Sequence, residues 1–453
     1  MPSVGSAWLM RARCRWLEHR YSNLLWVTRQ KAKILSKTPG CAWWRGVMPS
    51  LGLVFIGLVA RSAVDRGLVA RGGADTLALW GQFTSLVEII VGMSAVGHGL
   101  SVLVTRTDGS RRARLVQTAL VLGALLNGGV GLLLWSVSRA APSLLAGAGL
   151  PQGRVAWGGV AALGLTMGAL ANAYWVGLRD TRALVGAAAV ASVASIAAVL
   201  LLPREWLLDG LMLTQSLVAL ASAAWVLWRL PPARHMGRRA HDDRRELLRY
   251  LPAGLANGLL TPASLLVARS LAAQALSWAV VGQLQALWRV ANWVGALAEG
   301  VLIVMYLPRL SAARHTPNWH GELRAAFMAV VPACALAFVA LTIWRTPVFG
   351  VLYGARLVPG AITAALFFGG SLLRVVAWVP LFGLYAQART RAIVVGEVLS
   401  LPLFATMLAV DRAHLSLRGI GAAWLLTYVL YAGLNTWLLR RPDHPPKTPS
   451  LTL

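Results

Sequence analysis

The stretch WAVVGQLQALWRVANWVGALAEGVLIVMYLPRL, residues 278–310, decides the fold. It is long enough to cross a bilayer, which takes about 20 apolar residues. It nevertheless carries Gln285, Arg289, Asn292 and Glu299. Their spacing places all four on one helical stripe, with apolar residues around the rest of the circumference. Ionised side chains are costly in lipid, so such a stripe is expected to face a protein interior or a wet cavity. The plainer reading is a polar seam between packed helices.

The rest of the chain is built in the same way. Of its 453 residues 57% are hydrophobic and 13% charged, a balance that fits a polytopic membrane protein and no soluble domain. The net charge of +27 does not indicate nucleic acid, because the basic residues sit in short loops between apolar runs. Twelve spans are expected, near 43–63, 78–105, 113–138, 154–178, 183–203, 206–229, 248–268, 277–308, 322–344, 358–388, 391–410 and 417–439. With both termini inside, roughly thirty of the 43 Lys and Arg fall in cytoplasmic segments and about eleven outside, the positive-inside pattern.

The longest internal loop, RLPPARHMGRRAHDDRRELLR at 229–249, divides the spans six and six. The expected organisation is therefore a basic cytoplasmic extension (1–42), an N-lobe (43–230), a cytoplasmic linker (231–247), a C-lobe (248–440) and a cytoplasmic tail (441–453). The extension mixes Trp8, Trp16 and Trp26 with arginines and lacks the apolar core of a signal peptide. It reads as an interfacial helix on anionic lipid or as a misassigned translation start. The lobes read as parallel repeats. When Gly81-Gln82 is aligned with Gly282-Gln283, Glu88 meets Arg289 and His98 meets Glu299. Upstream, Arg61-Ser62 matches Arg269-Ser270. Such a repeat implies a pseudo-two-fold axis along the membrane normal.

Few other ionisable residues fall within spans. Arg374 lies in the tenth and Glu397 in the eleventh. Arg289 and Arg374, both at middle depth, are candidate anchors for an anionic headgroup, because a guanidinium pairs with phosphate oxygens bidentately. Gln285 and Asn292 join them as candidate cavity residues. Glu88, His98, Glu299 and Glu397 are candidates for coupling or gating, and structural ion pairs or packing are the plainer roles for each. Glu88 and Arg289 are further expected to pair across the lobes in one state and part in another. No nucleotide loop, metal-ligand cluster or nucleophile motif is present, and the outer loops are short, so the sequence calls for no cofactor, no metal and no enzyme activity.

Four ordered segments carry a family resemblance: GQFTSLVEIIVGMSAVGHGLSVLVTR (81–106), YLPAGLANGLLTPASLLVARSL (250–271), residues 281–313, and LLRVVAWVPLFGLYAQARTRAIVVGEVLSLPLF (372–404). From about 43 to 440 the chain resembles the O-antigen translocases, which include the enterobacterial common antigen (lipid III) flippase. They sit within the multidrug/oligosaccharidyl-lipid/polysaccharide flippase superfamily. The resemblance implies an all-α integral membrane protein of about twelve helices in two six-helix lobes around a central, often cationic cavity. It implies residence in the bacterial inner membrane and movement of an undecaprenyl-diphosphate-linked oligosaccharide to the periplasmic leaflet, for lipopolysaccharide O-antigen or similar surface polysaccharide biosynthesis. It also implies membrane lipids, a polysaccharide polymerase and a chain-length regulator as partners. The competing readings are a multidrug or organic-cation antiporter on the same fold and a membrane polysaccharide polymerase or ligase.

Overall fold

Among the described residues, helices form in each of the twelve expected runs. The computed structural model describes residues 39–441, leaving out 94–96, 108, 141, 143–148, 151, 179, 231–237, 249–250, 315 and 388. The N-terminal extension up to residue 38, the tail beyond 441 and the side chain of His98 therefore lie outside the described residues. The chain divides into two units, 1–50 and 51–453. In the first, residues 39–50 are helical, and every side-chain contact below lies within the second.

Helix α1, Pro39–Met93, is two spans in one. Its arms, 39–72 and 74–93, meet at Gly73, whose φ of 78° and ψ of −172° suit a residue without a Cβ. After residues 94–96 comes α2 (Gly97–Arg106). Spans three to six are α3 (Gly109–Ala140), α4 (Gln152–Leu178), α5 (Thr181–Leu201) and α6 (Leu207–Arg229). After α7 (Arg238–Leu248), the second lobe opens with α8 (Leu251–Ala275). Next comes α9 (Trp278–Val301), prolonged by a π-helical turn, Leu302–Tyr306, into α10 (Leu307–Ala313). The remaining spans are α11 (Trp319–Ile343), α13 (Ala361–Ala386), α14 (Thr390–Val410) and α15 (Leu417–Arg440). The short α12 (Arg345–Tyr353) joins the first two of these. Side-chain caps start several spans: Asp180 accepts from the Ala183 amide, Ser277 from Val280 and Ser416 from Gly419.

Two rings of exposed tryptophan mark where such a bundle meets headgroups. Trp135, Trp157, Trp206 and Trp344 lie at the Gly73 end, and Trp228 and Trp437 at the other. Arginines sit over some of these rings, Arg139 on Trp135 at 4.7 Å and Arg441 on Trp437 at 3.7 Å. Among the described residues nine helices are apolar and long enough to cross a membrane on those grounds alone. Helices α8 and α9 are not among them, and both carry polar residues within their length.

The lobes pack differently. In the second, one continuous core is built around Trp288, which meets Phe367, Phe404 and Trp424 edge-on at centroid distances of 5.7, 6.3 and 5.7 Å. The first is divided into separate clusters, one with Tyr174 and Trp175 and another with Trp80 and Phe83. Two expectations change. The first span does not stop at 63 but runs on through Asp65 to 72. The linker is not all loop: α7 lies on α3, where the buried Asp243 pairs with Arg111 (3.3 Å) and Arg114 (3.6 Å), and Glu246 pairs with Arg111 (2.8 Å).

Candidate functional site

The polar stripe of α9 serves three surroundings. Gln285 is buried with its amide laid on Gly81 of the first lobe, so it packs the boundary between lobes and does not line the cavity as expected. Arg289 reaches the first lobe, where its Nε lies 3.6 Å from Oδ2 of Asp65. In this conformation its ion-pair partner is Asp65, on the first arm of α1, and not Glu88. Asn292 and Glu299 turn toward the interior of the second lobe.

There a cavity of about 90 Å³ opens, lined by Glu299, Arg374, Trp378, Tyr385 and Glu397 among others. Arg374 donates to Oδ1 of Asn292 at 2.8 Å and lies over the Trp378 ring at 4.9 Å. No carboxylate of a described residue is within ion-pair distance of it. Glu397 is buried and accepts from the Tyr431 hydroxyl at 2.6 Å. The structure thus brings together four sequence candidates, Asn292, Glu299, Arg374 and Glu397, from α9, α13 and α14. Glu88 is exposed and stands apart from them. Among the described residues no three His, Cys, Asp or Glu converge as metal ligands.

Two boundaries join the lobes, and both use residues that the sequence reading did not assign. Between the second arm of α1 and α8, Arg269 is buried and donates to the Gly81 carbonyl and the Ser85 hydroxyl, both at 2.8 Å. It also lies over the Trp288 ring at 5.1 Å. In return Gln82 donates to the Ser270 hydroxyl at 2.9 Å and the Leu266 carbonyl at 3.3 Å. Further along, Pro262 leaves the Gly258 carbonyl without its helical donor, and that carbonyl faces the bare backbone of Gly92. Any side chain at Gly92 would strike it.

The other boundary, between the first arm of α1 and α9, is held by Asp65 and Arg289, the one ion pair that crosses between the lobes among the described residues. Tyr353, at the end of α12, is buried close enough to feel both charges. Burial holds its hydroxyl well above the ordinary tyrosine range; Asp65 adds to that and Arg289 opposes it, so the group remains a donor. Arg61, one turn before Asp65, is exposed and within electrostatic reach of Arg289, Glu88 and Asp65. The repeat Arg61-Ser62 and Arg269-Ser270 was the signal that could have identified both arginines as site residues.

With this geometry in view, solved structures give a clear comparison. One is a multidrug resistance MATE family transporter of the MOP superfamily in an inward-facing conformation. It matches with a TM-score of 0.66 at 13% identity, over 87% of this chain and 98% of its own. The fold is that of the MATE transporters. A MOP superfamily transporter from Pyrococcus furiosus, described as having a binding pocket of reversed polarity, matches with a TM-score of 0.64 at 14% identity, over 87% and 94%. A Vibrio cholerae MATE transporter gives 0.65 at 14% identity, over 87% and 95%. No family model and no curated protein matches the sequence. The MATE fold accounts for the two six-helix lobes, and the long apolar helices among the described residues mark the chain as a multi-pass membrane protein.

Proposed function

We propose that this chain is an alternating-access flippase of the inner membrane, with both termini in the cytoplasm. On this reading it carries an undecaprenyl-diphosphate-linked oligosaccharide to the periplasmic leaflet for surface polysaccharide synthesis. The observation that supports the reading is Arg374. It reaches into the cavity at mid-depth, donates to the neutral Asn292, and has no carboxylate within ion-pair distance among the described residues. A guanidinium held ready without a carboxylate suits a phosphate, to which it offers two parallel charge-assisted bonds. Arg61 supplies a second exposed cation from the other lobe.

A multidrug or organic-cation antiporter is the second reading. Glu299 and Glu397 share the cavity with Trp378, Tyr385 and Tyr428, and an organic cation binds to carboxylates and aromatic faces.

Proteoliposomes separate the two. The flippase reading expects a fluorescent undecaprenyl-diphosphate oligosaccharide to become accessible across the bilayer. Arg374→Ala should slow this by about ten- to hundredfold, the loss of one charge-assisted contact, and Lys should restore only part of it. Uptake of an organic cation down an opposing proton gradient, with no movement of the lipid, would instead establish the antiporter.

A further inference from the structure

We propose that Asp65 and Arg289 form a lock between the lobes, and that a diphosphate opens it by replacing Asp65 as the partner of Arg289. The inference rests on the flippase reading for its ligand, but the lock itself does not. Its basis is how incompletely the cluster is bonded. Asp65 Oδ2, Arg289 Nε and the Tyr353 hydroxyl are all buried, and none makes a hydrogen bond to a described protein group. At 3.6 Å the two charges attract without the short directional bonds of a well-formed pair. A charge pair bonded this loosely recovers little of the cost of burying its charges, so a partner that bonds one of them better can displace the other.

The ligand follows from the same chemistry. Arg289 is partly exposed, whereas Asp65 is buried. An anion arriving on the exposed side of Arg289 therefore meets the guanidinium before it meets the carboxylate. A phosphate offers several oxygens at normal hydrogen-bond distance, against one carboxylate oxygen held too far away. Arg61, exposed one turn from Asp65, adds a second cation on the same approach. Binding shifts a two-state equilibrium only through contacts that differ between the states. Here the difference is explicit: in the closed state Arg289 is shared with Asp65, and in the open state it belongs to the ligand alone.

The test uses the full chain, with its cysteines replaced by serine, in lipid nanodiscs. Spin labels at Glu205 and Ala355, exposed positions on different lobes at the Gly73 end, report the separation of the lobes. Asp65→Asn and Arg289→Gln should each raise the ratio of long to short distances about tenfold. The double variant should add nothing further, because both remove one interaction. Farnesyl diphosphate should produce the same shift in the parent protein and none in Arg289→Gln. Inorganic pyrophosphate, tested in parallel, separates the phosphate chemistry from the lipid: an equal shift assigns the effect to the phosphates alone, and a weaker one shows that the tail contributes. Should the single variants fold poorly, the reversed pair Asp65→Arg with Arg289→Asp should regain the short distance. Unchanged distances in both single variants, additive effects, a reversed pair that stays open, or a diphosphate shift that persists in Arg289→Gln would each overturn the lock. Failure of the flippase reading would look different: the single variants would still open the lobes, while the lipid-linked glycan would not cross the bilayer.

Discussion

The two boundaries between the lobes are built from equivalent helices and differ in almost every contact. Where the second arm of α1 meets α8, Arg269 and Gln82 make four hydrogen bonds across it, and a bare glycine backbone closes the far part. Where the first arm meets α9, one loose ion pair crosses. The repeat makes the contrast sharper. Arg269 is buried and donates twice across the first boundary, whereas its counterpart Arg61 is exposed. In lipid there is no hydrophobic force between helices, so close packing and hydrogen bonds decide which surfaces stay together. The first boundary has both and should act as the hinge; the second is packed, with Val69 against the core that contains α9, but its one polar link is a long ion pair, and it should be where the lobes part.

Removing Arg269 should therefore have the largest effect. Arg269→Ala leaves the Gly81 carbonyl and Ser85 without their donor and empties the space beneath Trp288. It should cost about 2–4 kcal/mol, seen as a clear fall in the melting temperature of the purified protein. If it melts like the parent, the tight boundary is not what holds the lobes together. The α7 clamp comes next. Asp243→Asn loosens the linker from Arg111 and Arg114, and trypsin should then cut at the exposed Arg244 and Arg245 several times faster, with little change in melting. An unchanged cleavage rate would mean that packing alone holds α7. The smallest effect belongs to Gln285→Ala. Because Gln285 lies on Gly81 and away from the cavity, binding of farnesyl diphosphate should change by less than about twofold, and a larger loss would return Gln285 to the ligand site.

Much of this was legible in the sequence. The spans follow from long apolar runs, and the lobes from the basic stretch between them. Arg374 and Asn292 are legible as cavity candidates and Glu299 and Glu397 as coupling candidates, but not the pairing of Asn292 with Arg374, which lie 82 residues apart in the chain. The missed residues share one cause. Apolar runs reveal a membrane helix where it faces lipid, but at a lobe boundary protein replaces lipid, and a helix can continue through charged residues. The first apolar run thus ends near 63, while the helix continues past Asp65 to the Gly72-Gly73 pair, which is the better marker of its end. Arg269 was missed for the same reason, one residue beyond the expected end of its span. The α7 clamp was hidden because Asp243 finds Arg111 only once the lobe has folded, 132 residues away.

The most direct measurement of the hinge and the lock compares two reversible cross-links in the cysteine-free protein. One joins Gln82→Cys to Ser270→Cys across the tight boundary, and the other joins Asp65→Cys to Arg289→Cys across the loose one. Each pair is compared with its own reduced form: oxidation of the first should leave transport of the lipid-linked oligosaccharide unchanged, and oxidation of the second should abolish whatever transport the reduced pair retains. Arrest by the first cross-link, or undiminished transport through the second, would contradict the account.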